Sequence, residues 1–272
     1  MKDSFEGPPP PPPEGAPLRD GVRFAFGTLS VLPARITRWD RPAARTGMAC
    51  AALVGLVVGL LAAVPGALLL VCGGSPLLAA AVTVAVPAAL TRGLHLDGLA
   101  DTADGLGSAK PAEAALRIMK QSDIGPFGVV TLVLALIVQV AALSDAFADS
   151  WVRGGLAAVT AAVTARLAMT LASRAGVPPA RPEGLGAAVA GVVPLRVATS
   201  VTVLVVALAA TAALPLGLPA AGLHAAAVLA GLLAAELLLR RCVRRFGGVT
   251  GDVFGALAEV SATTALVVLA LG

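Results

Sequence analysis

Seven apolar stretches, at 47–72, 76–92, 125–143, 154–173, 197–214, 222–239 and 255–271, divide this chain. Most approach the ~20 residues that an α-helix needs to cross a bilayer. Their apolarity is continuous, whereas the strands of a membrane barrel are about ten residues long and alternate in polarity. Only 13% of the 272 residues are charged and 57% are hydrophobic, against about 25% charged in a typical soluble domain. Such a chain cannot clothe a water-facing surface, but it can face lipid. The expected fold is all-α: a polytopic integral membrane helical bundle of about seven transmembrane helices, with six to eight as the range. Stretches 76–92 and 255–271 are short, and either could be re-entrant. The abundance of Ala and Gly within the stretches suits close helix packing in lipid. Pro65 and Pro87 lie inside the first two and predict kinks, tolerable where neighbouring helices supply partners.

Two domains of unequal character are expected. Residues 1–17, with the run Pro8 to Pro13, read as a disordered, polyproline-prone tail. It is not a signal peptide, because it lacks a basic start followed by an apolar core. Residues 18–272 read as one membrane-embedded catalytic domain. It opens with an Arg-rich segment in which Phe24 to Pro33 is apolar enough for an interfacial or re-entrant piece but too short to span. Of the 20 Lys and Arg, all except Arg153 and Arg166 fall in 1–46, 92–124, 174–196 and 240–254. These are the segments that share a side when the N-terminus is cytoplasmic, as the positive-inside rule requires. The formal charge of +4 is therefore loop asymmetry. No basic patch with interleaved aromatics points to nucleic acid. Cys50, Cys72 and Cys242 form neither a disulfide framework nor a CxxC pair.

The polar residues sort by the same side. Its densest cluster is His95-Leu96-Asp97-Gly98-Leu99-Ala100-Asp101-Thr102-Ala103-Asp104-Gly105. Asp97, Asp101 and Asp104 stand at i, i+4 and i+7, one face of a helix. Three like charges on one face repel unless a cation joins them, and hard oxygen ligands suit Mg²⁺ or Mn²⁺ bridging to phosphates. A solvated acidic face is the plainer alternative. It loses weight in a chain with 16 carboxylates, where acids abutting a membrane span are functional by default. His95 is a candidate base or hydrogen-bond donor. A second cluster runs from Met119 to Gly128, with Lys120 and Ser122 as phosphate partners and Gly125 allowing close backbone approach. A third pairs Arg174 with Ala180-Arg181-Pro182-Glu183-Gly184-Leu185-Gly186, a pattern suited to anions. The fourth is Gly247-Gly248-Val249-Thr250-Gly251-Asp252, followed by Glu259 on the same helical face as Asp252. His224, on the far side, reads as structural, and Glu236 is placed to pair with Arg240.

A carboxylate-held metal, cations for phosphate and Gly-rich loops at one membrane face suit phosphoryl or phospho-alcohol transfer from a nucleoside-diphosphate donor. No Walker A motif is present. The four clusters, in order, resemble the motifs of the cobalamin synthase family, adenosylcobinamide-GDP ribazoletransferases, from about residue 24 to the end. The second departs from the family in having Gln121, Ser122 and Asp123. The resemblance implies Mg²⁺-dependent transfer of the cobinamide phosphate from adenosylcobinamide-GDP to α-ribazole or its 5′-phosphate, with GMP released. It implies His95, Asp97, Asp101, Asp104, Lys120 and Asp252 as catalytic residues, with Asp97, Asp101 and Asp104 on the metal. Lys120 and Arg181 would neutralise phosphate, and His95 or Asp252 would take the proton of the attacking 3′-hydroxyl. Ser122, Gly125, Arg181, Gly186, Gly248, Thr250 and Glu259 would bind substrate. It further implies a bacterial plasma membrane, catalytic loops in the cytoplasm and other cobalamin-pathway enzymes as candidate partners, with the oligomeric state left open.

Two other readings compete. A CDP-alcohol phosphotransferase making lipids would also use facial aspartates, but its Asp-Gly-x-x-Ala-Arg pattern is not met by Asp97-Gly98-Leu99-Ala100-Asp101. A transporter or pathway scaffold should carry polar residues through several mid-spans, and stretches 197–214 and 222–239 are almost wholly apolar at their centres.

Overall fold

A computed structural model describes residues 15–272. The proline run expected to be disordered lies outside them. Twelve α-helices follow in order among the described residues: α1 (Leu18–Leu29), α2 (Arg41–Ala49), α3 (Ala51–Val71), α4 (Pro76–Leu90), α5 (Leu94–Gly107), α6 (Ala112–Ile118), α7 (Pro126–Asp149), α8 (Trp151–Ala172), α9 (Gly184–Val189), α10 (Leu195–Ala213), α11 (Leu218–Phe246) and α12 (Gly251–Leu269). Six of them, α3, α7, α8, α10, α11 and α12, are each long and apolar enough to cross a membrane. A seventh crossing requires α4, which is short and bends by 87° into α5. The chain is thus a multi-pass helical membrane protein. Its second apolar stretch is the exceptional one. α4 and α5, which carries the acidic motif, reach the length and apolarity of a crossing only as a bent pair, the form of a broken span or a re-entrant loop.

Local chemistry sets these boundaries. Ser75 accepts the Leu78 N–H at 3.2 Å and Pro76 takes the first helical position of α4, where its missing N–H costs nothing. Arg92 and Gly93 then adopt left-handed φ values of 54° and 71°, which end α4 and aim α5. Asp40 caps α2 through the Ala43 N–H at 2.8 Å, and Ser150 caps α8 through the Arg153 N–H at 3.1 Å.

α8 is the most enclosed of these spans and α10 the least. α3 lies against α8 at Gly55 and Gly59. A Cβ on Gly55 would sit 2.5 Å from the Ala162 carbonyl oxygen, so the small-xxx-small spacing lets the two backbones touch. Leu60, Leu134, Ile137, Leu204, Leu208 and Leu233 face outward, the lipid-facing side of such a bundle. Polar groups inside it are few and mostly paired. Gln139 donates to Glu259 and to the Thr263 hydroxyl, both at 2.9 Å, and His224 Nδ1 meets the Thr160 hydroxyl at 2.9 Å. Arg166 is 3% exposed and borders a cavity of about 60 Å³ together with Gln139 and Glu259.

Candidate active site

α5 and the start of α12 are drawn together by a reciprocal pair of glycines. A Cβ on Gly98 would stand 2.6 Å from the Asp252 carbonyl oxygen, and one on Gly255 would stand 3.0 Å from the His95 Cα. Only backbone-to-backbone approach fits there. The crossing sets Asp252, which lies far away in sequence, beside Asp97 and Asp101. Thr250 completes the turn: its hydroxyl accepts the Val253 N–H at 3.3 Å and donates to Asp252 Oδ2 at 3.1 Å.

Asp97 is exposed and Asp101 half-buried. Neither makes an ion pair with any described residue. Burial first, and then the charges of Asp97, Asp252 and Asp104, push the Asp101 carboxyl up to about 7 against the pull of Arg181. The crowd of carboxylates thus outweighs the counter-charge of Arg181. Asp101 titrates near 7 folded and at the ordinary 3.8 unfolded, so its contribution to stability is full below the lower value and is lost as pH rises through the upper one. With a metal chelator present, the Tm in detergent should fall between about pH 4 and about pH 7, and Asp101→Asn should flatten that slope. A slope unaltered by the substitution would mean that Asp101 is not the group responsible. His95 is buried. Burial first, and the nearby Arg166 charge second, hold its pKa well below the usual histidine range, so the imidazole is neutral.

Asp104 is used differently from its two neighbours on the helix. Its Oδ2 accepts the Gly125 N–H at 2.8 Å and its Oδ1 accepts the Gly128 N–H at 2.9 Å, anchoring the N-terminus of α7, where negative charge complements the helix dipole. A Cβ at either glycine would press within 2.5 Å of this carboxylate. The second motif is therefore held to the first by a buried ligand of backbone N–H groups. Lys120 reaches Glu183 at 3.2 Å, and Ser122 lies exposed on the turn before α7.

Two further loops are zipped together. The Ala180 N–H donates to the Val249 carbonyl at 2.9 Å, and the Val249 N–H donates to the Pro178 carbonyl at 3.0 Å. Gly248 makes this possible, since a Cβ there would lie 2.4 Å from the Pro178 oxygen. Gly186 likewise leaves room for Val249, 2.8 Å from its own would-be Cβ. The zip carries Arg181 toward the carboxylates, where its charge is felt by both Asp101 and Asp252. Its guanidinium also donates to the Leu116 carbonyl. Arg174, by contrast, is bound to Glu236 at 2.9 Å, and Arg240 holds the same carboxylate at 2.8 Å. It is not free for an anion. Glu259 sits two turns beyond Asp252, within the bundle on Gln139, and is not gathered into the carboxylate cluster. Sequence reading missed Gln139 altogether, since a lone amide in an apolar stretch carries no local pattern.

Among the described residues, no three His, Cys, Asp or Glu side chains stand at metal-ligand spacing. Mg²⁺ commonly takes one or two carboxylates and fills its shell with water and substrate phosphates. Two carboxylates drawn from Asp97, Asp101 and Asp252, none of which has an ion-pair partner among the described residues, suit such an ion.

Fold and site together define a multi-pass membrane protein with an acidic, cation-flanked centre at one end of the bundle, of the type that handles phosphate esters. The chain belongs to the cobalamin-5-phosphate synthase family, which it matches over residues 21–270. A protein of Frankia casuarinae named adenosylcobinamide-GDP ribazoletransferase is 45% identical over 268 residues, covering 92% of this chain and 94% of its own. Proteins with the same name from Nocardioides sp. and Corynebacterium efficiens are 39% and 38% identical, over 92% and 94% of this chain and 97% and 93% of theirs. No solved structure matches the chain.

Proposed function

We propose that this protein is an adenosylcobinamide-GDP ribazoletransferase that joins a cobinamide phosphate to α-ribazole or α-ribazole 5′-phosphate. The observation that carries this reading is the meeting of Asp97, Asp101 and Asp252 beside Arg181 and Lys120, in a chain of this family. The acceptor's ribose hydroxyl oxygen forms a new bond to the cobinamide-side phosphorus. The bond from that phosphorus to the GMP oxygen breaks, and GMP leaves with the electron pair. The hydroxyl proton passes to His95 or to Asp252, which border one cavity. Arg181 and Lys120 offset the negative charge of the diphosphate, an electrostatic contribution that is largest where water is excluded. Mg²⁺ held by two of the carboxylates Asp97, Asp101 and Asp252, with water and substrate completing its shell, would supply further charge neutralisation on the phosphate oxygens. The excess of Lys and Arg in the loops at this end supports a cytoplasmic orientation in a bacterial plasma membrane, where soluble donor and acceptor would both arrive.

The test is direct. Purified protein in detergent is incubated with adenosylcobinamide-GDP and α-ribazole or its 5′-phosphate, with and without Mg²⁺, and GMP and the corrinoid product are followed by chromatography. Metal-dependent formation of both in equal amounts is expected. A folded sample that yields neither from either acceptor rejects the reading.

A further inference from the structure

Beside the carboxylates lies a cavity of about 170 Å³ between the end of α1, the start of α5 and the start of α12. Met48, Met169 and Phe254 give it apolar walls, and His95, Asp97 and Asp252 give it an acid–base rim. Asp101, Lys120 and Arg181 are not part of its wall. It is far too small for a corrinoid, but it suits a flat bicyclic base with its ribose.

Arg92 is the one Arg or Lys among its described lining residues. It sits at the 87° break between α4 and α5 with φ at 54°. The left-handed region disfavours every side chain with a Cβ and favours glycine. Its guanidinium has no carboxylate within ion-pairing distance among the described residues, and the residue is exposed. A cation held at a backbone position that suits glycine, unpaired, on the wall of a nucleoside-sized cavity has the chemistry of a phosphate monoester site.

We propose that Arg92 binds the 5′-phosphate of the acceptor and sets the preference between phosphorylated and unphosphorylated α-ribazole. This rests on the proposed function and adds the substrate half that the cavity takes. The acceptor's base lies among Met48, Met169 and Phe254, its attacking hydroxyl lies toward His95 and Asp252, and its phosphate meets Arg92. A lipid headgroup offers the same phosphate chemistry at a membrane surface, so the test separates the two.

Arg92→Gly removes the guanidinium while keeping a residue at ease with the left-handed backbone, so the α4–α5 turn is retained. The kcat/KM for α-ribazole 5′-phosphate and for α-ribazole is measured for wild type, Arg92→Gly and Arg92→Lys. Each is assayed in neutral detergent and in nanodiscs containing anionic lipid. The expected result is a ~10–100-fold fall in the ratio of phosphorylated to unphosphorylated acceptor in Arg92→Gly, as for loss of a charge-assisted contact. Partial recovery is expected in Arg92→Lys, with the same ratios in both media and an unchanged KM for adenosylcobinamide-GDP. An unchanged ratio, a raised donor KM, or an effect seen only with anionic lipid overturns the assignment. Absence of turnover by wild type with either acceptor rejects the proposed function itself, a result distinct from an unaltered ratio in an active enzyme.

Discussion

Asp101→Asn and Asp252→Asn each lower turnover by ~10³-fold or more, equivalent to about 4 kcal/mol of transition-state stabilisation, while the protein still inserts and purifies as a folded species. Asp101 is the more informative of the two. Its carboxyl is crowded by Asp97, Asp252 and Asp104 and pushed up to about 7, an arrangement that weakens the empty fold. Removing its charge therefore relieves strain in the metal-free protein even as it removes a ligand. The expected signature is an unchanged or raised Tm in chelator, together with loss of any rise in Tm on adding Mg²⁺. Asp252→Asn leaves Thr250 able to cap α12, because the Thr250 hydroxyl still accepts the Val253 N–H, so its loss of activity is not a loss of fold. Wild-type turnover by either variant, measured with saturating donor and acceptor, would remove these carboxylates from the reaction.

Asp104→Asn separates itself from that pair by its effect on stability. The carboxylate accepts two backbone N–H groups from the entry of α7 and is 6% exposed. Asparagine offers one oxygen, and its amide NH₂ then faces a second N–H with nothing to accept. Losing one charge-assisted bond and leaving a buried donor unmet costs about 2–4 kcal/mol. A clear fall in Tm is expected, measured in the same detergent as wild type, with activity lost in proportion to displacement of the 119–125 loop. A Tm equal to wild type combined with abolished Mg²⁺ binding would make Asp104 a metal ligand, as the helical spacing alone suggested, and would reject the anchoring role. The contrast with Asp101→Asn is the useful one: neighbouring acids on one helix, opposite signs of ΔTm.

Helix class, the positions of the spans and the sorting of polar clusters to one end were all legible before any coordinates. Bilayer thickness imposes a length on each apolar run, and membrane insertion reads loop charge, so both leave contiguous marks. Even so, the second stretch is not a simple crossing. Arg92 and Gly93 turn it through 87°, and no hydropathy window registers a change of direction made by two backbone torsions. The acidic motif likewise stood out as a candidate site, because three aspartates on one helical face are costly without a purpose.

What those acids do was not legible. The i, i+4, i+7 spacing treats Asp97, Asp101 and Asp104 alike, yet one is exposed, one is half-buried among carboxylates and one is buried on two N–H groups. The difference is made by α12 and α7, whose approach is set by Gly98, Gly255, Gly125 and Gly128 where a Cβ would collide. The same holds for Arg174, read as an anion ligand but bound to Glu236. It holds too for Glu259, on the expected face of α12 but directed to Gln139 inside the bundle. The sequence by itself determined that this chain lives in a membrane, where its apolar helices run, which end gathers the polar motifs and which family it resembles. The tertiary structure alone decided which carboxylates meet, which one anchors a helix and which arginine borders the cavity beside them. Hydropathy and periodicity are properties of neighbouring residues, whereas a side chain's partner depends on helix crossings made by backbone contacts between residues far apart in the chain.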